Sequence, residues 1–523
     1  LRRGHRRMTE QSAESARNVR LRLVDWRFLL TSPHPRRVLC RASGLLADAL
    51  REIAGNVVAD AGTDTCDLAV AVAPDGATLR ALRDALVPGG VCYTEWPSGA
   101  GTRDVESALR DAGFEFIICY RRWPRFASLP SYWIPVDAPG AEAFVRGRSR
   151  LRGGRVRRLA AELAGRGRAA LRGHLRGSIC AIATAEPGSA PGPLQWPRAE
   201  WLDGIPTGRP ERLSLLLATG GPRTVSKVVL LAFAEPESLP VAAIKASRVP
   251  EAADGVRREA DVLARIGSRG LAGVPRLLSR YECDGTPIIV ETALAGRPLE
   301  GLINGDNFAV WSERATDWLA ALAAGSQVLP AAEWLEALVE PMLARFEQDF
   351  GEVVDRVLLR EGAAIVRRIG DLPAVPEQRD FGPWNVLVGT ENALAVLDWE
   401  SGEADGLPAL DLLYFLAYAS FGVDGARTRD QRVASFHRSL DTESRTGAVR
   451  RRSLERYAAA LGLSPATLGP LRALVWLVHA HSDARHAAAD AGGRPSAEAL
   501  RRSLFLALWT AEVKDLLRSP GPP

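Results

Sequence analysis

Three oxygen-bearing side chains flank a short apolar hairpin near residue 390. Asp380 and Asn385 stand in the stretch QRDFGPWNVLV, and Asp398 follows in LDWE. Between them, two short apolar runs, 386–388 and 393–397, are separated by the turn-forming residues Gly-Thr-Glu-Asn. This pattern predicts two antiparallel strands joined by a tight turn.

The hairpin would bring Asn385 and Asp398 together. If Val388 pairs with Ala395, Asn385 falls opposite Asp398, and directly opposed residues lie about 4.5–5.5 Å apart at Cβ. An amide oxygen and a carboxylate suit Mg²⁺, which fills its other positions with water and phosphate. Asp380, one short loop upstream, could take a proton from a hydroxyl nucleophile. The alternative is that all three are turn formers and strand ends, where Asp and Asn are common.

The length and composition describe a soluble protein of several domains. A chain of 523 residues predicts two or three domains. Hydrophobic content of 46% and charged content of 25% are ordinary, and no apolar run is long enough to predict a membrane span. The start, LRRGHRRMTE, lacks the apolar segment of a secretory signal, so we expect residues 1–20 to be a disordered tail or an over-extended start. The six scattered cysteines suggest buried thiols in a reducing cytoplasm.

Positive charge is concentrated between Arg146 and Arg176, where eleven arginines stand against one acid. Such a surface could meet anionic lipid, nucleic acid or a polyanionic substrate, and the alternative is a solvated pair of helices. No aromatic residues are interleaved for base stacking, so no specific nucleic-acid partner is expected. We therefore expect a cytoplasmic protein, peripheral to the inner face of the membrane if these arginines meet lipid.

The segment 21–184 alternates short β-like runs with amphipathic helices. This alternation predicts a doubly wound, mostly parallel, Rossmann-like α/β sheet. The predicted strands are RVLC (37–40), NVVAD (56–60), DLAVAVAP (67–74), VCYTEW (91–96), FEFIICY (114–120) and SICAIAT (178–184).

This segment resembles the class I S-adenosylmethionine (SAM)-dependent methyltransferase fold, most clearly where LRDALVPGG feeds VCYTEW. That family carries a glycine-rich loop after its first strand, whereas the loop here, CRASGLL, has only Gly44. Asp60 is the acid available to a ribose after the second strand. We therefore expect a degenerate scaffold or substrate-presenting domain, for which SAM is a doubtful ligand.

A second domain is expected after a linker rich in Pro and Gly at 185–210. From 211, three strands, a helix and two more strands precede a chain that is helical almost throughout. This order predicts an α+β arrangement of two lobes, a small lobe at 211–300 and a large lobe at 301–517.

Residues 211–515 look like the aminoglycoside phosphotransferase and choline kinase branch of the protein-kinase-like fold. In VAAIK, Lys245 resembles the strand lysine that holds the ATP phosphates, and Glu259 in RREADVL resembles the helix glutamate that pairs with it. Lys245 is one of only three lysines in a chain rich in arginine, which suggests that this position requires an ammonium group rather than a guanidinium. Gly220 and Gly221 would form a phosphate-covering turn.

The resemblance also assigns roles around the hairpin and the adenine ring. Asp380 matches the catalytic-loop aspartate, and Asn385 and Asp398 match the Mg²⁺ ligands. Backbone groups from Glu291 to Leu294 would meet adenine. Asp411 resembles a structural acid that braces the catalytic loop.

One departure concerns Gln378, which stands where the family usually has His. A glutamine can still form hydrogen bonds, so activity is expected to be lowered or retained. Acids near the presumed mouth of the site would suit a cationic acceptor. The alternative is that these acids only cap helices and face solvent. These residues, with two neighbouring tryptophans, are Trp384, Trp399, Glu400, Glu403 and Asp405.

Together these motifs predict an ATP- and Mg²⁺-dependent phosphotransferase that acts on a hydroxyl group of a small molecule. Two alternatives remain open. The chain could be a pseudokinase and pseudomethyltransferase that works as a scaffold. It could also be an active SAM-dependent methyltransferase with a kinase-like partner domain.

Overall fold

The computed structural model describes residues 16–97, 99–123, 129–152, 179–186, 200–219, 226–490 and 494–518. The described chain divides into two compact units. We call the part within Ala13–Ala260 and Arg276–Ala293 the sheet unit. We call the part within Asp261–Pro275 and Leu294–Pro523 the helical unit.

The sheet unit is built on twelve strands, counted over the described residues, in the order β11-β12-β10-β9-β8-β6-β5-β7-β4-β3-β1-β2. The strands are β1 (Arg37–Arg41), β2 (Asn56–Val58), β3 (Cys66–Val72), β4 (Leu86–Trp96), β5 (Phe116–Trp123), β6 (Tyr132–Pro135), β7 (Ile179–Thr184), β8 (Leu213–Thr219), β9 (Val228–Ala234), β10 (Pro240–Ala246), β11 (Leu277–Cys283) and β12 (Thr286–Thr292).

The prediction of a mostly parallel sheet over 21–184 is right only for β1 to β4. These four strands are parallel, and their connections include helices α1 (Leu45–Ile53) and α2 (Gly76–Asp84). Helix α3 (Thr102–Asp111) leads to β5, and α4 (Pro139–Arg152) follows β6. Strand β7 runs antiparallel between β4 and β5, and β5 pairs antiparallel with β6, so three of the seven strands described in this segment pair only antiparallel. All six β7 residues are buried, as expected of a strand inside a sheet covered on both faces.

The strands predicted for two separate domains belong to one sheet. Strand β6 pairs antiparallel with β8 through Tyr132–Ala218 and Trp133–Leu217. This pairing covers two edges that would otherwise present open backbone groups. Of the predicted linker, 187–199 lie outside the described residues, and Glu200–Gly204 forms a 3₁₀ helix.

The amino-terminal residues of the sheet unit are also packed into its core. Residues 16–23 are helical and include the end of the segment predicted as a tail. Trp26 stacks on Tyr93 of β4 with ring centroids 3.6 Å apart. The buried carboxylate of Asp25 accepts two hydrogen bonds from Arg248, each 3.0 Å long. Most of the arginine-rich segment, from 153 to 176, lies outside the described residues.

The helical unit packs helices around a few short strands. Helix α5 (Ala253–Gly267) contributes residues to both units. The further helices are α6 (Phe308–Ala323), α7 (Ala331–Trp334), α8 (Glu340–Phe350), α9 (Arg356–Val366), α10 (Leu410–Val423), α11 (Arg429–Leu440), α12 (Arg445–Leu461), α13 (Pro465–Asp490), α14 (Ala497–Arg501) and α15 (Leu504–Arg518). The strands are β13 (Arg297–Pro298), β14 (Val328–Leu329), β15 (Leu372–Pro373), β16 (Val375–Glu377), β17 (Val386–Val388), β18 (Leu394–Val396) and β19 (Glu403–Gly406).

Helix α10 is the centre of the helical unit. Eleven of its residues are buried, and it is apolar on all sides, as expected of a core helix. Strands β17 and β18 form the predicted hairpin, and β16 pairs with β19 beside it.

Membrane-spanning potential was assessed over the described ranges. There, no single helix is both long and apolar enough for a span. One helix pair bent by 115°, Arg445–Leu461 with Ala466–Arg485, reaches that length and composition only when taken together.

Candidate functional site

Two lysines and two glutamates meet on one face of the sheet unit. We call Lys227, Lys245, Glu259 and Glu291 the lysine–glutamate cluster. The ammonium of Lys245 lies 2.5 Å from Glu259 Oε1 and 2.7 Å from Glu291 Oε1. The ammonium of Lys227 lies 3.0 Å from Glu259 Oε2. The predicted Lys245–Glu259 pair is therefore present. Lys227 and Glu291 also belong to the cluster, and sequence reasoning did not assign them to it.

The sheet register explains why Glu291 joins the cluster. Lys245 of β10 is registered with Ile289 of β12, and Ala243 is registered with Glu291. Residues two apart on a strand share a face, so Lys245 and Glu291 are diagonal neighbours. Glu259 lies on α5, whose Val256 packs in the same apolar cluster as Ile289. A signal was available in the sequence, since Glu291 is an acid within the apolar run PIIVETAL.

The two glutamates respond to burial in opposite ways. Burial penalises the charged form of both. For Glu259, the attraction and hydrogen bonds of Lys227 and Lys245 outweigh that penalty, and its pKa lies below the ordinary value. For Glu291, burial is the larger effect, and the negative charge of the nearby Glu259 acts in the same direction. The pKa of Glu291 is therefore raised, although Lys245 acts to lower it.

The remaining nucleotide-binding predictions concern Gly220, Gly221 and the backbone groups of residues 291–294. Gly220 and Gly221 lie outside the described residues. Glu291 is registered with both neighbouring strands, β10 and β11, so its backbone lies within the sheet. Leu294 follows the end of β12 and is half-buried. An adenine contact by backbone groups at 291–294 stays a prediction.

In the helical unit, Asp380 is held by three side chains. Its Oδ1 accepts a hydrogen bond from the Tyr414 hydroxyl at 3.1 Å. Its Oδ2 accepts from Asn385 Nδ2 at 2.8 Å and from Trp384 Nε1 at 3.3 Å. These contacts fix the orientation of the carboxylate, while each oxygen of a carboxylate can accept more than one hydrogen bond. Asp380 and Asn385, two of the three side chains singled out in the sequence, are thus in direct contact.

Gln378 connects the catalytic loop to the segment that carries Asp398. Its Nε2 donates to the carbonyl oxygens of Leu397 at 3.0 Å and Asp398 at 2.5 Å. Its Oε1 accepts from the Asp380 amide at 2.8 Å. The glutamine is fully buried, so each of these bonds satisfies a group that water does not reach. Gln378 therefore braces both segments in the position where the resembled family has His.

The structure corrects the predicted hairpin register by one residue. Val388 pairs with Leu394 rather than with Ala395, and the Leu397 amide donates to the Asn385 carbonyl. The turn takes up residues 389–393, one fewer than the predicted pairing required, and two of its residues adopt left-handed backbone conformations. Asn385 consequently lies opposite residue 397.

Asp398 is placed by the bend that follows the hairpin. Its φ is +69°, a left-handed conformation that Asp tolerates better than most residues. A register shift of one residue reverses the face to which a strand residue points. Strand pairing alone would therefore not have directed the Asp398 carboxylate towards Asn385. Burial is the main cause of the raised pKa of Asp380, and the charge of Asp398 acts in the same direction.

The backbone before Asp380 is anchored by Asp411, the predicted structural acid. Asp411 accepts hydrogen bonds from the amides of Gln378 at 2.6 Å and Arg379 at 2.8 Å. Arg379 has a φ of +64°, and its side chain bonds to the buried Glu377 at 2.8 Å. A non-glycine residue in this conformation is kept only where its surroundings enforce it, here through Asp411 and Glu377.

Tyr414 is the functional residue that sequence reasoning missed. It lies three residues after Asp411 on α10, and Tyr418 follows four residues later, so all three occupy one helix face. Trp384 packs edge-on against Tyr418 with ring centroids 4.9 Å apart. The spacing Asp411, Tyr414, Tyr418 was a readable signal that this face approaches Asp380.

The environment of Asp380 changes how strongly its carboxylate holds a proton. Burial raises its pKa to about 6, although hydrogen bonds from Trp384, Tyr414 and Asn385 act in the opposite direction. A carboxylate with a raised pKa holds a proton more strongly and still remains mostly ionised near neutral pH.

Asn385 and Asp398 carry the oxygen atoms that the sequence predicts as ligands of a magnesium ion. The Nδ2 of Asn385 donates to the backbone and side chain of Asp380, which leaves Oδ1 as its ligating atom. Within the part of the chain that the structure describes, no group of three or more His, Cys, Asp or Glu side chains is arranged to hold a metal. Two protein oxygens suffice for Mg²⁺ when phosphate and water complete its shell.

A cavity of about 220 Å³ borders the catalytic loop at Arg379. Its other lining residues are Leu329, Glu333, Trp334, Ala337, Leu338, Glu403, Asp405 and Gly406. Two of the acids proposed for a cationic acceptor, Glu403 and Asp405, line it. Glu403 lies 3.7 Å from Arg379, and Asp405 pairs with Arg265. Each of these two acids has an arginine nearby, although Arg379 is also bonded to Glu377, and a cationic acceptor at this cavity stays a prediction.

The two tryptophans expected near the mouth of the site differ in role. Trp384 is half-buried and donates to Asp380. Trp399 is wholly buried, and its Nε1 donates to the Val396 carbonyl at 3.1 Å. Trp399 therefore belongs to the core beneath the hairpin.

Comparison with known proteins gives structural similarity only. No protein-family model and no curated protein matches the chain. The GDP complex of wild-type aminoglycoside 2'-phosphotransferase-IIIa is 12% identical with a TM-score of 0.37, over 60% of this chain and 98% of that chain. A thermostable mutant of aminoglycoside phosphotransferase APH(4)-Ia is 14% identical with a TM-score of 0.36, over 62% and 99%.

A third similar structure, described as a fructosamine-3-kinase from Haemophilus somnus 129PT, is 12% identical with a TM-score of 0.35, over 60% of this chain and 97% of that chain. All three are phosphotransferases by description. A likeness at this level assigns neither a family nor a substrate. The methyltransferase-like resemblance of residues 21–184 has no counterpart among these three and stays a prediction.

Proposed function

We propose that this chain is an ATP- and Mg²⁺-dependent phosphotransferase that moves the γ-phosphate to a hydroxyl group of a small molecule. The observation that supports the proposal is the arrangement around Asp380. Three side chains orient its carboxylate, and Gln378 ties its backbone to that of Asp398. Phosphoryl transfer depends mainly on such positioning and on neutralisation of charge.

Asp380 is the group that handles the proton. As the acceptor oxygen bonds to the γ-phosphorus, its hydroxyl proton passes to the Asp380 carboxylate. The bond between the γ-phosphorus and the bridging oxygen breaks, and ADP leaves with the electron pair. The raised pKa of Asp380 makes it a better base than an exposed aspartate.

Two further sets of residues would bind the nucleotide. Lys245, oriented by Glu259, would contact the α- and β-phosphates. Asn385 and Asp398 would hold Mg²⁺, which when bound supplies positive charge to the phosphate oxygens. These roles follow from the chemistry of the side chains and from the motifs in which they stand.

An acceptor screen with the full chain tests the proposal. ADP release would be followed with amino sugars, choline, nucleosides and sugar alcohols. One acceptor class should raise ADP release, and Asp380→Asn should reduce it by roughly 10²- to 10⁴-fold. Stabilisation by ATP and Mg²⁺ in a thermal-shift assay should survive in Asp380→Asn. Wild-type protein that neither releases ADP nor is stabilised by ATP and Mg²⁺ would contradict the proposal.

A second candidate is a protein that binds nucleotide without turning it over. The observation that favours it is the position of Lys245, which is paired with two carboxylates at once. Thermal stabilisation by ATP and Mg²⁺ that disappears in Asp398→Ala, without ADP release for any acceptor, would support this candidate over the first.

A further inference from the structure

Glu291 is a second carboxylate on the lysine that the proposed function assigns to phosphate. Its Oε1 lies 2.7 Å from Lys245 Nζ, and the residue is 1% exposed. Its Oε2 is buried and has no hydrogen-bond partner among the described residues. An ionised carboxylate oxygen normally accepts hydrogen bonds, and a buried one without a partner carries a penalty. A proton on Glu291 would remove the buried charge, which is the electrostatic part of that penalty.

The charges around Glu291 balance in the structure. It faces Lys245 on β10, Glu259 on α5 and Lys227 just before β9, and its neighbour on β11 is the apolar Leu277. Two ammonium groups and two carboxylates make a neutral cluster. Phosphates arriving at Lys245 would therefore add unbalanced negative charge to a buried site, which is costly.

Lys227 allows the cluster to adjust without losing its other ion pair. It lies 3.0 Å from Glu259 Oε2, so Glu259 keeps a cation when Lys245 turns towards phosphate. Lys227 also faces Glu291, but its ammonium is bonded to Glu259 and acts on Glu291 less strongly than Lys245 does. Glu291 is the member whose charge must change when Lys245 leaves it.

We propose that binding of nucleotide phosphates at Lys245 is coupled to the uptake of one proton by Glu291, which releases the lysine. This inference rests on the proposed nucleotide site. The proton comes from solvent and adds to the Glu291 carboxylate, so the cluster gains one positive charge to meet the phosphates. The effect of burial, which raises the pKa of Glu291, acts in the same direction. Glu291 is thus a positioning residue that acts through Lys245.

The test is titration calorimetry of the full chain with ADP at saturating Mg²⁺, which keeps the nucleotide ionised. Measurements in PIPES and Tris at the same pH give the number of protons taken up. We expect about one proton for the wild type and, between pH 7.5 and 8.5, a Kd that rises by up to roughly tenfold. Glu291→Gln should bind without proton uptake, with a Kd that no longer depends on pH.

A matched control is Glu282→Gln on β11, an exposed glutamate that pairs with Arg257. It should behave as the wild type does. Nucleotide binding by the wild type without net proton uptake would overturn this inference and leave the proposed function intact. The same uptake in Glu291→Gln would also overturn it. Absence of ADP and ATP binding in both the wild type and Glu291→Gln would instead overturn the nucleotide site itself.

Discussion

The side-chain amide of Gln378 donates a hydrogen bond to the backbone carbonyl of Asp398, 2.5 Å away. The contact joins the loop that carries the proposed base to the segment that carries a proposed Mg²⁺ ligand. It is a side-chain contact to backbone, so it depends on hydrogen-bonding capacity at position 378 more than on the identity of the residue. A histidine there could make one such bond, and the glutamine makes two to carbonyls and accepts a third.

The first prediction concerns this brace. Gln378→Leu removes the partners of three partly buried backbone groups, and a fully buried group left in this way costs about 1–3 kcal/mol. We expect a lower melting temperature by calorimetry and ATP turnover reduced by about tenfold for each 1.4 kcal/mol lost from the transition state. Gln378→His restores a donor and should fall between the wild type and Gln378→Leu. Unchanged melting and turnover in Gln378→Leu would contradict the role.

The second prediction concerns the pH dependence of turnover. The pKa of Asp380, raised to about 6 by burial, means that the base is protonated below that pH. Turnover should therefore fall roughly tenfold per pH unit on the acid side. The Tyr414 hydroxyl bond stabilises the carboxylate and lowers this pKa. Tyr414→Phe should thus shift the acid limb of the rate profile to higher pH.

A control for the tyrosine change is Tyr281→Phe, because the Tyr281 hydroxyl is buried and makes no hydrogen bond within the described chain. Its pH profile should match that of the wild type. A shift to lower pH in Tyr414→Phe, or none at all, would show that Tyr414 does not act on Asp380.

The third prediction concerns the lysine–glutamate cluster. Lys245→Met removes the cation that Glu259 and Glu291 share, and breaking a buried ion pair costs about 3–5 kcal/mol. Because Glu291 can accept a proton, the loss of stability should be larger at pH 8 than at pH 6. Denaturation by urea at the two pH values measures this difference. Lys514→Met, at an exposed position, should change stability by less than about 0.5 kcal/mol.

The fourth prediction concerns the close approach of Gly406 to Glu377. A Cβ on residue 406 would lie 2.4 Å from Glu377 Cδ, and Glu377 is buried and bonded to Arg379. Gly406→Ala must displace that carboxylate, and overpacking of this kind costs about 1–3 kcal/mol. Gly422→Ala on α10 meets nothing within 4 Å and should be neutral or slightly stabilising. Equal melting temperatures for the two variants would refute the steric argument.

Much of the local structure was readable from the sequence. The strands β8 to β12, helix α5 and the hairpin β17–β18 follow apolar runs with turn residues between them, and such patterns depend on neighbouring residues only. The pairing of Lys245 with Glu259 was also predicted and is present, and Asp380 and Asn385, both singled out in the sequence, are in contact. These features depend on motifs that are short and local in the sequence.

Other features depend on which distant segments meet. The pairing of β6 with β8, which makes one sheet from strands expected in two domains, leaves no trace in either strand alone. The register of the hairpin was decided by backbone conformations inside its turn, and a one-residue change there cannot be seen in an apolar pattern.

The sequence by itself determined which residue types carry the chemistry and roughly where along the chain they stand. Only the tertiary structure decided their partners: Glu291 beside Lys245, Tyr414 against Asp380, and arginines near Glu403 and Asp405 at the cavity. The physical reason is that charge and hydrogen bonding act across space. A buried group acquires its pKa and its orientation from whatever packs against it, at any separation along the chain.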